Sequence, residues 1–180
     1  MSATIIRDAV ESDIAGIHAI YAHYVITGFG TFEEEPPGVP AFQEKWRAIV
    51  AHGLPWLVAD HGEVVGYAYA SPFRPRTGYR YSVEDSVYVR DDQRGRGLGF
   101  QLLAALVPRC EALGVRQIVA VIGDSGNAAS IATHAHAGFE HAGIARGVGY
   151  KLGRWVDIVF MQRALNGGAS TPPPSRGAWA

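Results

Sequence analysis

The sequence predicts an α/β (α+β) fold, a mixed sheet with helices packed against it, and three observations carry that reading. Segments of period two alternate with segments of period 3.6, in the order β-α-α-β-β-β-α-β-α-β-β. Residues 84–113 pass from a strand-type run through a turn dense in Asp, Arg and Gly into a helix whose Leu102, Leu103, Leu106 and Leu113 share a face. Residues 117–122 (QIVAVI) form a continuous apolar, β-branched run, as expected of a strand covered on both faces.

With 180 residues, 48% of them hydrophobic and 18% charged, the chain has the size and composition of one domain with a full core. That domain is expected over residues 1–165. Residues 166–180 carry Gly, Ser, Thr and three consecutive prolines, and are expected to be a disordered tail. A net charge of −1 leaves no electrostatic footprint for nucleic acid or an anionic membrane. The first residues lack the long apolar stretch of a leader, and no run reaches the roughly 18 apolar residues that span a bilayer. The single cysteine, Cys110, cannot form an internal disulfide; helix packing in a reducing cytoplasm is its expected role.

The elements follow in order. Residues 4–7 read as a short strand. Ser12 or Asp13 then caps a helix whose Ile14, Ile17, Ile20, Tyr21 and Tyr24 recur at helical spacing. His18 and His23 lie in it five apart, not at the i, i+4 spacing of a metal pair, and no metal site is expected. Residues 27–40 lose all periodicity, with three adjacent carboxylates and three prolines, and a loop this long in a compact domain is often functional. Its Phe29 and Phe32 either plug the core or line a pocket.

Residues 40–52 form a second amphipathic helix, with Phe42, Trp46 and Ile49 on one face and Gly53 as its stop. Residues 56–60 and 64–70 are strands joined by a turn at Asp60-His61-Gly62-Glu63. The irregular segment 71–80 carries Arg74, Arg76 and Arg80. These are either a solvated surface or a clamp for a carboxylate, a bidentate geometry that suits arginine and not lysine. After the strand at 117–122 come a short helix over 127–137, closed by Gly138, and strands at 139–144 and 155–162 linked by the glycine-rich GVGYKLGRW.

The chemistry concentrates at Arg94-Gly95-Arg96-Gly97-Leu98-Gly99. Glycine permits backbone dihedrals other residues resist and lets a ligand approach the main-chain N–H groups. The first N–H groups of a helix have no internal partner and sit at the positive end of its dipole, so a loop of this kind suits a phosphate or pyrophosphate. Arg94 and Arg96 add charge-assisted contacts. The spacing is G-x-G-x-G in mid-chain, with no Walker lysine following, so neither a Rossmann dinucleotide site nor a P-loop fits.

The same residues resemble the R/Q-x-x-G-x-G/A pyrophosphate loop of the GNAT superfamily of acyl-CoA-dependent N-acyltransferases, whose element order also matches over residues 4–163. Further segments are similar to the phosphinothricin / methionine sulfoximine N-acetyltransferases: residues 82–89 (SVEDSVYV), 119–122 (VAVI), Ser125-Gly126-Asn127 followed by Ala128-Ala129-Ser130, Gly138-Phe139, and 149–157 (GYKLGRWVD). The resemblance implies a mixed, mostly antiparallel central sheet flanked by helices. It also implies acetyl-CoA as co-substrate, no metal, a homodimer, and as acceptor the α-amino group of a small glutamate- or methionine-like amino acid.

Carried over residue by residue, it implies that Val87, Tyr88 and Val89 lie along the pantetheine arm, with Arg94, Gly95, Arg96, Gly97, Leu98, Gly99 and Phe100 around the pyrophosphate. Asn127 and Ser130 would complete the cofactor site. Glu84 is the candidate base, since an amine must lose a proton before it can attack. Phe29, Arg74, Arg76, Glu84, Asp85 and Ser86 are the expected acceptor contacts. Alternation puts Glu84, Ser86 and Tyr88 on one strand face and Asp85, Val87 and Val89 on the other. Many GNAT enzymes have a tyrosine four residues before the final Gly-Phe; His134 stands there instead, and no role is assigned to it. Two other functions stay open: acetylation of a protein N-terminus or another amine, and acetyl-CoA sensing without transfer.

Overall fold

A computed structural model describes residues 4–173. Seven strands form one sheet in the order β1-β2-β3-β4-β5-β7-β6. They are β1 (Ile5–Asp8), β2 (Trp56–Asp60), β3 (Val64–Pro72), β4 (Ser82–Val89), β5 (Gln117–Gly123), β6 (Glu140–Lys151) and β7 (Arg154–Ala164). Four helices flank it: α1 (Ile14–Thr27), α2 (Val39–Ala51), α3 (Leu98–Ala112) and α4 (Ala128–His136). Only the β4–β5 pairing is parallel; the other five neighbouring pairs are antiparallel. The sheet is therefore mixed and mostly antiparallel, as expected.

Packing follows the sequence periods. Leu98, Leu102, Leu103, Leu106, Val107 and Cys110 form the buried stripe of α3, each side chain contributing about 1.5–3 kcal/mol of apolar burial. Burial pushes the Cys110 thiol up to about 12, so it packs as an inert apolar group. On the opposite side of the sheet a row of rings runs across β2, β3 and β4: Trp56 stacks on Tyr69 at 4.0 Å between centroids, and Tyr67 stacks on Tyr88 at 5.2 Å. Asp13 precedes α1 without capping it through its side chain; its carboxylate instead takes Arg7 and the Val10 amide.

One reading changes. The segment GVGYKLGRW is no linker: β6 and β7 run on through it as a hairpin, pairing Gly149 with Val156, Tyr150 with Trp155 and Lys151 with Arg154. Leu152 and Gly153, both at positive φ, make its two-residue turn. Of the expected tail, residues 166–173 lie within the described residues, where Arg116 donates to the carbonyls of Gly168 and Thr171 at 2.8 Å each. Residues 174–180 lie outside them.

Candidate active site

The parallel strands β4 and β5 pair only over residues 82–85 and 117–120. Beyond that they part, β4 continuing along β3 to Val89 and β5 along β7 to Gly123. A wedge opens between them. Arg90 donates to the Val65 carbonyl on the β3 side at 2.9 Å, and strand amides alternate sides, so the main-chain groups of Val87 and Val89 turn away from β3 into the wedge. Tyr24 Oη already donates to the Val89 carbonyl at 2.6 Å. The Val87 and Val89 amides are thereby set to bind an extended arm as an added strand would.

At the wide end of the wedge stands the glycine loop. Gly95 and Gly97 both have φ near +74°, the left-handed region, and Gly97 is the residue from which α3 starts. This brings the unpartnered first amides of α3 to the rim, where an anion gains from them and from the helix dipole. Arg94 is held there by Tyr24 Oη at 2.9 Å and by Asp91 at 3.0 Å. A single cleft of about 850 Å³ joins this rim, the wedge and an aromatic pocket.

Glu84 faces that pocket from the middle of β4, with Ser86 and Tyr88 on the same strand face. Burial raises its pKa above the usual carboxylate value; Arg74, at 3.5 Å, lowers it, and the neighbouring Asp85 raises it again. The net elevation suits a group that must hold a proton taken from an amine. Around it lie Tyr21, Phe29, Thr31, Phe32, Lys45 and Tyr69. Phe29 and Phe32 thus line the pocket and do not plug the core.

On the other face of β4, Asp85 is 5% exposed and bonded to His134 of α4, which is 3% exposed. His134 Nε2 meets Asp85 Oδ2 at 3.0 Å, and Nδ1 meets the Ser130 carbonyl at 2.8 Å. Burial alone would lower the histidine pKa, but the bond and charge of Asp85 and the Ser130 carbonyl together raise it. Asp85 thus turns its bonded oxygen away from the Glu84 face, while its Oδ1 is buried with no hydrogen-bond partner among the described residues.

The structure gathers the expected residues into this one cleft with three exceptions. Arg96 is exposed and off the lining, Arg74 reaches the site through Glu84, and Arg76 is exposed beyond it. Asn127 lines the cleft while its side chain caps α4 by accepting from the Ser130 amide at 3.2 Å. Lys45 was not expected. Its ammonium donates to Tyr69 Oη at 2.8 Å beside Glu84, and nothing in the spacing of α2 separates it from a solvated lysine. Among the described residues no group of three or more His, Cys, Asp or Glu side chains is disposed to hold a metal, and no helix is long and apolar enough to cross a membrane.

Strand amides and a helix start on one flank, with a carboxylate of raised pKa on the other, define an acyltransferase that receives a phosphate-bearing thioester beside an amine. Residues 6–160 match the Acetyltransferase (GNAT) domain family, and the chain belongs to it: it is an N-acetyltransferase whose donor is acetyl-CoA. The chain is 47% identical to phosphinothricin N-acetyltransferase of Alcaligenes faecalis, over 93% of this chain and 86% of that protein. It is 48% identical to the L-methionine sulfoximine/L-methionine sulfone acetyltransferase of Pseudomonas aeruginosa, over 96% of this chain and all of that protein. Among solved structures, the phosphinothricin acetyltransferase of Sinorhizobium meliloti in complex with acetyl-CoA superposes with a TM-score of 0.92 at 46% identity, covering 96% of this chain and 94% of that one. The residues present fit that donor, since the wedge amides and the positive-φ glycines leave the main chain open to it.

Proposed function

We propose that the protein acetylates the α-amino group of a small glutamate- or methionine-like amino acid, of the phosphinothricin, methionine sulfoximine or methionine sulfone type. The observation that carries this reading is the half-buried Glu84, with its raised pKa, at the junction of the donor wedge and the aromatic pocket. Acetyl-CoA supplies the activated acetyl group. Glu84 accepts the proton of the acceptor ammonium, directly or through one water, and frees the lone pair to attack the thioester carbon; the C–N bond forms as the C–S bond breaks, and the CoA thiolate leaves. The amides of Val87 and Val89 are the donors available to negative charge building on the acetyl oxygen, a contact of about 2.7–4 kcal/mol where such donors have been removed. Val87, Tyr88, Val89 and the 94–100 loop, with Asn127 and Ser130, hold the donor; Phe29 and Ser86 shape the acceptor pocket on the Glu84 face of β4, with Asp85 behind it on the opposite face, bonded to His134.

Of the two candidate arginines, Arg74, which reaches the site beside Glu84, supplies the acceptor carboxylate with a cationic partner. An ester of the amino acid would leave that charge unsatisfied and should be a poor substrate. One catalytic domain over residues 1–165, acting in the cytoplasm as a homodimer, completes the reading. The dimer is supported by the exposed outer face of the β6–β7 hairpin, where Tyr150 of the edge strand β6 and Trp155 of its neighbour β7 are 57% and 66% exposed.

The test is acetyl-CoA consumption by the purified protein with methionine sulfoximine, phosphinothricin, methionine sulfone, their methyl esters and a set of N-terminal peptides. Turnover confined to the free amino acids is expected. Equal turnover of the esters would remove the carboxylate clamp, and preference for peptides would replace the acceptor altogether.

A further inference from the structure

We infer that Lys151 is a positioning residue for the acceptor half of the site, acting through the loop that carries Phe29 and Phe32; the inference rests on the acceptor reading above. Alternation along β6 sends Val148 and Tyr150 outward and turns Gly149 and Lys151 inward. The ammonium of Lys151 is on a side chain only 2% exposed and donates to the Thr31 carbonyl at 2.8 Å. A charge withdrawn from water this far is costly unless it is bonded. Burial lowers its pKa, and Glu34 and Glu33, the acidic groups facing it from the same loop, oppose that shift. An apolar side chain would fill the position at less cost, so the bond to Thr31 is what the lysine contributes.

Two glycines make room for the same loop. A Cβ built on Gly149 would fall on the Phe32 ring, and one built on Gly123 of β5 would fall on the Phe29 carbonyl oxygen. Neither glycine has a positive φ. What each position excludes is the side chain, and the reason in both is the approach of this loop. Arg154, paired with Lys151 across the hairpin, stacks its guanidinium 3.9 Å from the centroid of Phe29 and pairs with Asp124. From the other side Tyr88 Oη donates to the Gly30 carbonyl at 3.2 Å, and Tyr21 Oη meets Thr31 Oγ1 at 3.0 Å.

Residues 29–32 are thus gripped one by one, mainly by β5 and the β6–β7 hairpin. Phe29, Thr31 and Phe32 are walls of the aromatic pocket, whereas the glycine loop at 94–99 lies outside this set of contacts. Loosening the grip should change how the acceptor is held and leave the donor site alone.

The experiment uses the full chain with Lys151→Met, which keeps the stem and removes the donor, and Gly149→Ala, which displaces Phe32 and leaves the lysine. In both, KM for methionine sulfoximine should rise about tenfold or more with KM for acetyl-CoA within about twofold. Amide hydrogen exchange over residues 28–33 should quicken by about tenfold or more. Lys151→Arg, which restores a donor, should recover part of the acceptor KM. Unchanged loop exchange in both variants, or the two KM values rising together, would overturn the inference. Should Lys151→Met fail to fold, Gly149→Ala, at a half-buried position with ordinary backbone, decides the matter by the same two readouts. Faster loop exchange in variants of a protein that acetylates no amino acid would remove the acceptor reading and still support the grip of Lys151 on the loop.

Discussion

Asp85 and His134, 49 positions apart, close into a buried pair at 3.0 Å, and the other ring nitrogen of His134 is 2.8 Å from the carbonyl of Ser130. The carboxylate and the carbonyl can both accept, an arrangement that favours the imidazolium form of the ring. The ring offers no third N–H to the cleft. The bonded pair ties α4 to β4 at the point where β4 leaves β5.

An NMR titration should therefore find His134 raised above its ordinary value of 6.5. The sign of the stability effect follows. A raised folded-state pKa gives stabilisation that is complete below the unfolded value and is lost as pH climbs through the folded one. In Asp85→Asn the amide can donate to Nε2, which makes the ring neutral; its pKa should fall and this pH dependence should vanish. A His134 pKa unchanged by Asp85→Asn would remove the ion pair from the account.

Arg74 lies 3.5 Å from Glu84 and opposes the elevation that burial imposes. Replacing it by Ala should raise the Glu84 pKa further. The acid limb of kcat/KM for the amino acid then moves to higher pH, because the base must be ionised to accept a proton. A limb that stays in place would show that Arg74 does not reach Glu84 in the working enzyme.

Gly97→Val tests the anion loop. A Cβ at Gly97 meets only Gln101 Nε2, at 3.9 Å, so the substitution is spared a packing clash. It must instead abandon φ +74° or adopt it at about 1–2 kcal/mol. Calorimetry should find a folded protein that no longer binds acetyl-CoA. Normal affinity would place the pyrophosphate elsewhere.

Much of this was legible in the sequence. The leucines of α3 and the apolar run of β5 announce their elements because their neighbours are periodic. The glycine loop announces a phosphate because its chemistry is local. The far end of the β6–β7 hairpin reads in the sequence as a glycine-rich link between strands at 139–144 and 155–162, because its strand alternation is broken: the register shifts between Ala145 and Gly149, and Gly147 sits at φ +56° in between. Lys45, Lys151 and the partnership of Asp85 with His134 depend on contacts between distant elements and leave no spacing signal. Among the arginines of 71–80, irregular backbone hides which one turns inward; only the fold separates Arg74 from Arg76.

The most direct measurement is the pH–rate profile of Glu84→Gln beside the wild type, with methionine sulfoximine as acceptor and the KM for acetyl-CoA measured in parallel. In Glu84→Gln, kcat should fall by roughly 10²–10⁴, the acid limb assigned to Glu84 should disappear, and the KM for acetyl-CoA should hold. A variant within about threefold of the wild-type kcat and keeping the same acid limb would contradict Glu84 as the base.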